Sequence, residues 1–191
     1  MSEASIRGHW LTGGAKFVRT HYPPEAGELL LDAFPRPLKS LLTEIQPVSW
    51  YPRAFHVDIL RAIAAAQRGE AAVMDGLVAY GNLIASDLAA GALRPLLPLL
   101  TPKLLGKRLP QLWASEHQGE GRLEVDIAQS DEGRLALTIL APGYEHISMV
   151  TLGFVAGLVR AIGKKDVTVK QTGWSMAQPA PASVSGEVRW S

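Results

Sequence analysis

The chain has 191 residues, of which 47% are apolar and 19% charged, the balance of a folded globular protein and not of a disordered one. Its net charge of +1 gives no basic surface of the kind nucleic acid requires. There is no cysteine, which excludes disulfides, thiol nucleophiles and cysteine-held metals.

The N-terminal Met-Ser-Glu-Ala-Ser-Ile-Arg stretch has no apolar core of a signal peptide, and a cytoplasmic location is expected. Gly13 to His21 reads as a first helix that ends before Pro23 and Pro24, and Glu25 to Phe34 as a second. Leu38 to Ile45 reads as a short third helix. Pro52 then suits the first position of a helix that runs to about Arg68 and is stopped by Gly69. Phe55, His56, Ile59, Leu60 and Ile63 share one stripe of it. Glu70 to Ala90 is a longer helix, in which Gly76 and Gly81 each cost about 1 kcal/mol relative to Ala unless a neighbour packs closely there. Leu93 to Trp113 is greasy and helical in pieces, bent by its prolines.

From Arg122 the pattern changes from helical spacing to strict alternation. Leu123, Val125 and Ile127 face one way, and after a turn at Ser130 to Gly133 so do Leu135, Leu137 and Ile139. An apolar helix from His146 to Ile162 follows, too short to span a bilayer. Asp166 to Gln171 and Ser183 to Trp190 read as a second pair of strands, joined through the loose stretch Gln178 to Ala182. The expected architecture is α+β: N-terminal helices packed on one face of a C-terminal four-stranded antiparallel sheet, β-β-α-β-β. A single domain over residues 1–191 is expected, helical over about 13–118 and with the β-β-α-β-β unit over about 121–191.

No residue pattern nominates a catalytic site. The histidines His9, His21, His56, His117 and His146 include no pair at zinc-binding helical spacing, and no phosphate loop or nucleophile elbow occurs. Asp75 and Asp87 lie too far apart along one helix to act as a pair. His56 has two readings: a hydrogen-bonded core histidine, or a group that meets a ligand from the apolar stripe. Trp50, Tyr51 and Trp113 are either core packing or the wall of an apolar cavity. Gly153 and Gly157 form a small-xxx-small pair that serves close packing within the chain or a dimer contact. Lys103, Lys107 and Arg108 make either a solvated face or a surface for anionic lipid.

The segments Val48-Ser-Trp-Tyr-Pro-Arg-Ala-Phe55, Arg108-Leu-Pro-Gln-Leu-Trp113, Gly121-Arg-Leu-Glu-Val and Gly186-Glu-Val-Arg-Trp190 resemble an uncharacterised bacterial family expanded in myxobacteria. In layout the chain is similar to the superfamily of haem-nitric-oxide-binding and 4-vinyl-reductase domains, which shares its fold with TRAPP vesicle-tethering subunits. The resemblance runs from about Ile6 to Ser191. It implies helices on one face of a twisted antiparallel sheet, with a hydrophobic cavity or a helical dimer face. Haem-binding members use a histidine and a Tyr-x-Ser-x-Arg motif; this chain lacks the motif, and haem is not expected. Cysteines that other members carry near the last two strands are replaced by Thr172-Gly-Trp-Ser-Met-Ala, so no metal is expected there.

The expected function is a non-catalytic sensor or adaptor that holds an apolar small molecule between helices and sheet. Trp50, Tyr51, Phe55, His56 and Trp113 are the expected lining. The alternative is a ligand-free assembly or protein-interaction module, TRAPP-like, that acts as a homodimer through Gly153 and Gly157. An enzyme is not expected, and neither nucleic acid nor a transmembrane segment enters either reading.

Overall fold

The computed structural model describes residues 4–119, 121–144, 146–172 and 183–191. In chain order the elements are β1 (Ser5–Arg7), α1 (Gly8–His21), α2 (Pro24–Asp32), α3 (Arg36–Leu41), β2 (Trp50–Pro52), α4 (Arg53–Ala65) and α5 (Glu70–Ala90). A 3-10 turn at Leu97–Leu99 precedes α6 (Pro102–Glu116), β3 (His117–Gln118), β4 (Arg122–Asp126), β5 (Arg134–Leu140), α7 (Ile147–Ala161), β6 (Thr168–Thr172) and β7 (Ser183–Arg189). The loose stretch Gln178 to Ala182 and the Gly173 to Ala177 segment lie outside the described residues.

The four-stranded sheet has the order β4-β5-β7-β6, every pair antiparallel. Alternation works as the sequence predicts: Leu123, Leu135, Leu137, Ile139 and Val188 are buried on the face that α6 and α7 cover together. Because α7 lies between this sheet and α5, Ile147 through Val159 are all buried. This explains an apolar run without polar relief: it is a core helix with two neighbours. No helix among the described residues is long and apolar enough to cross a membrane.

Glycines set how closely α5 and α7 approach. A Cβ on Gly81 would lie 2.1 Å from the Val150 carbonyl oxygen, and one on Gly153 would lie 2.2 Å from that of Val78. A Cβ on Gly157 would meet the Ala85 methyl at 2.5 Å. The dimer contact proposed for Gly153 and Gly157 is therefore corrected: α5 of the same chain already covers that face. Gly76 is different, since its added Cβ meets only the Gln67 side chain, at 3.2 Å.

A second, three-stranded sheet of order β2-β1-β3 has no counterpart in the sequence reading. Its strands have two or three residues each, too short for alternation to register. The first helix accordingly begins at Gly8, straight after β1, and not at Gly13. The third ends at Leu41 and not at Ile45. Buried residues of the helical part and of the β-β-α-β-β unit form one continuous cluster.

Candidate functional site

His56 on α4 is fully buried between two phenols. Its Nε2 lies 2.9 Å from the Tyr80 hydroxyl, and its Nδ1 is hydrogen-bonded to the Tyr144 hydroxyl. Tyr80 also donates to the Trp10 carbonyl oxygen. Counting protons fixes the tautomer. A carbonyl can only accept, so the Tyr80 proton is committed to Trp10, and Tyr80 must accept from His56 Nε2–H. Nδ1 of the neutral ring is then the acceptor for Tyr144. The chain of bonds runs one way, from Tyr144 through His56 and Tyr80 to Trp10, with every polar atom of it paired.

Burial holds the His56 imidazole well below its ordinary pKa, and His117 and His9 push the same way. Burial likewise raises the Tyr80 and Tyr144 phenols well above theirs. All three are neutral at pH 7, far from the near-neutral pKa that suits a general acid or base. Replacing His56 with leucine leaves the Tyr144 hydroxyl without its acceptor. The expected loss is about 1–3 kcal/mol, read by urea unfolding.

Trp10 sits at the centre of a second group. Its ring centroid lies 5.6 Å from that of His56, 5.4 Å from His117 and 5.3 Å from Phe154. Its Nε1 donates to Glu116 Oε2 at 3.2 Å, and the same oxygen is 3.0 Å from His9 Nε2. Trp113 stacks on His117 with centroids 3.9 Å apart. His117 Nδ1 donates to the Trp113 carbonyl at 3.1 Å, which leaves a bare Nε2, buried and without a hydrogen-bond partner among the described residues. His117 lines a cavity of about 10 Å3 together with Trp10, Trp113 and Phe154. That is room for about one water molecule.

The expected site residues fall in two places. His56 and Trp113 belong to the aromatic interior, linked through Trp10 and His117. Trp50 belongs to β2 and carries the Arg7 guanidinium 3.9 Å from its ring centroid. The Tyr51 hydroxyl accepts from the Gln46 N–H at 2.8 Å, and Phe55 packs on the core, half-buried. Of the expected lining residues Trp113 borders an interior space, and among the described residues that space, shared with Trp10, His117 and Phe154, is water-sized. Trp10, the hub of this packing, escapes the sequence reading, which starts the first helix after it.

A much larger space lies on the outer side of α6. Pro95 and Pro98 keep the chain from continuing as a helix after α5, and the 3-10 turn instead runs beside α6. Thr101 caps α6 by accepting from the Leu104 N–H at 3.2 Å, while Leu105, Leu109 and Trp113 anchor its inner face. Between turn and helix is an open groove of about 560 Å3, lined by Leu96, Leu99, Leu100, Leu104, Leu112 and Arg108 among others. Leu99 is 72% exposed and Leu96 49%. Among the described residues no group of three or more histidines or carboxylates is placed to hold a metal ion.

No family model and no curated relative matches the sequence. Solved structures do match. The Fe(II) unliganded H-NOX protein from K. algicida is 10% identical with a TM-score of 0.68, covering 97% of each chain. The H-NOX protein from S. oneidensis in its Fe(II)NO ligation state is 12% identical with a TM-score of 0.67, covering 97% of this chain and 99% of that one. A single-substitution variant of Tt H-NOX is 10% identical, with a TM-score of 0.63 over 97% of this chain and 95% of that one. At such identity the likeness concerns the path of the backbone, and what it establishes is that this chain has the H-NOX fold.

Proposed function

We propose that this protein is a non-catalytic binding module that takes an apolar small molecule into the leucine groove between the 3-10 turn and α6. The supporting observation is the groove itself: about 560 Å3, walled by leucines, with Leu99 72% exposed. Small-molecule sites typically measure about 300–1,000 Å3 and are mostly apolar with a few polar groups. An occupant would remove exposed leucine surface from water, at about 25 cal/mol per Å2.

The H-NOX proteins of like fold carry iron and NO, as their ligation states record. A haem does not fit the residues here. Both nitrogens of His56 are bonded to tyrosines, so neither can ligand an iron. Among the described residues His117 keeps a free Nε2, its Nδ1 donating to a backbone carbonyl as in a metal-ligating histidine, and there it is the space that is missing. The cavity beside His117 measures about 10 Å3, against the several hundred that an organic ligand occupies.

The groove reports inward through α6. Leu112 lines the groove and Trp113, the next residue, stacks on His117 in the interior. A ligand that favours one seating of α6 over another shifts the population between them, provided that its affinity for the two differs.

The test is a thermal melt in the presence of n-decanol, a neutral apolar probe. At a hundred times its dissociation constant a ligand stabilises by about 2.7 kcal/mol, which is about 5–10 °C for a chain of this size. Leu99→Asp is expected to abolish the rise while it leaves the unliganded midpoint in place. No rise in the wild-type protein, or an equal rise in the variant, overturns the reading. A dimer in light scattering that Leu99→Asp dissociates would replace it with an assembly module.

A further inference from the structure

The groove is not apolar throughout. Along α6, Leu104, Arg108, Gln111 and Ser115 recur at helical spacing and line it, so leucine at one end gives way toward the other to polar groups interleaved with Leu112. The distance from Leu104 to Ser115 along the helix is about 16 Å at 1.5 Å per residue. Such a gradient matches an amphiphile that lies lengthwise.

The sign of its head group follows from the charges. Between Asp87 and Glu116 the chain carries Arg94, Lys103, Lys107 and Arg108 and no carboxylate. Three surface lysines are answered by carboxylates: Lys16 by Asp87 at 2.6 Å, Lys39 by Asp32, and Lys103 by Asp131 at 3.3 Å. Arg108 bonds only a neutral group among the described residues, with Nη1 donating to Gln111 Oε1 at 3.0 Å. A planar guanidinium with an uncharged neighbour, facing a groove, is a ready partner for a carboxylate.

We propose that the ligand is a free long-chain carboxylate, its chain laid along the leucines and its head group taken by Arg108. This rests on the reading of the groove as a ligand site. The chain supplies affinity, at roughly fourfold per buried methylene. The exposed Arg108 supplies a smaller preference for the anion, about fivefold.

Titration calorimetry with n-alkanoates and n-alkanols from eight to twelve carbons, below their micellar concentrations, tests it in wild type, Arg108→Gln and Leu99→Asp. The alkanoate is expected to bind about fivefold more tightly than the alkanol of equal length. Arg108→Gln should lower alkanoate affinity about fivefold relative to the alkanol of equal length and so bring the two to parity, while Leu99→Asp should remove both. Equal affinities for acid and alcohol in the wild type overturn the carboxylate and keep the apolar site. Binding of neither overturns the site itself and the carboxylate with it. Uptake only by vesicles of anionic lipid, with no monomer bound, also overturns the proposal, because the leucines would then be a membrane-docking face.

Discussion

Gly81→Ala and Gly153→Ala are each expected to destabilise the protein by at least about 3 kcal/mol, the upper range for an overpacked core. A single methyl suffices because of what it strikes. At Gly81 it meets the Val150 carbonyl oxygen at 2.1 Å and the Phe154 backbone nitrogen at 2.6 Å; at Gly153 it meets the Val78 carbonyl oxygen at 2.2 Å and the Val78 Cα at 2.7 Å. Backbone atoms in a helix cannot rotate aside, so α5 and α7 must separate. Separation pulls apart the most buried layer of the molecule, which includes Leu77, Ile84, Val150 and Val155. Against a total stability of about 5–15 kcal/mol, such a loss takes a large share. Gly76→Ala provides the contrast within the same helix. Its methyl meets a flexible Gln67 side chain at 3.2 Å, so the gain in helix propensity, about 1 kcal/mol, is expected to prevail. Urea unfolding of the three variants checks both signs. A Gly153→Ala protein that kept its stability and merely dissociated would return this face to a contact between copies.

Acidification is expected to weaken the fold well before most carboxylates are protonated. His117 is held at a pKa of about 4, chiefly by burial, which outweighs the opposing Trp113 carbonyl and Glu116. His56 is lowered too, again chiefly by burial. In the unfolded chain both return to about 6.5. Between these values the unfolded state binds more protons than the native one, so stability falls as pH falls. The contribution is complete above about pH 6.5 and lost on the way down to the folded pKa. For His117 alone the loss from about pH 7.5 to about pH 4.5 is about 2.5 kcal/mol, and His56 adds to it in the same direction. Urea unfolding at the two pH values measures the sum. In His117→Gln the loss should shrink by about the His117 share; an unchanged loss would show that the imidazole ring is not buried in solution as described.

The legible part of this fold is the part built on long periodic segments. Arg134 to Leu140 alternates through seven residues and forms β5 with those limits, and Glu70 to Ala90 forms α5 with its own. What stayed hidden was short or remote. Ser5 to Arg7 has too few residues for a period, and its partners lie near residues 51 and 118. A helix that starts only at Gly13, with no strand before it, excludes Trp10 from the core. His56 was visible on its stripe, but Tyr144, which supplies its second bond, is 88 residues away. The groove was half visible: prolines among leucines announced a broken helix, not that the leucines would remain uncovered beside α6.

The small sheet has a consequence for synthesis. β1 is made before both of its neighbours, since it pairs Ser5 with Pro52 and with Gln118. At translation rates of roughly 5–20 residues per second, Ile6 waits roughly 6–20 s before its last partner has been made. In the finished protein Ile6 is fully buried. One edge of β1 can meet β2 early, but the other stays unpaired until β3 has been made after α6, and during that interval this edge is open to a chaperone or to another nascent chain.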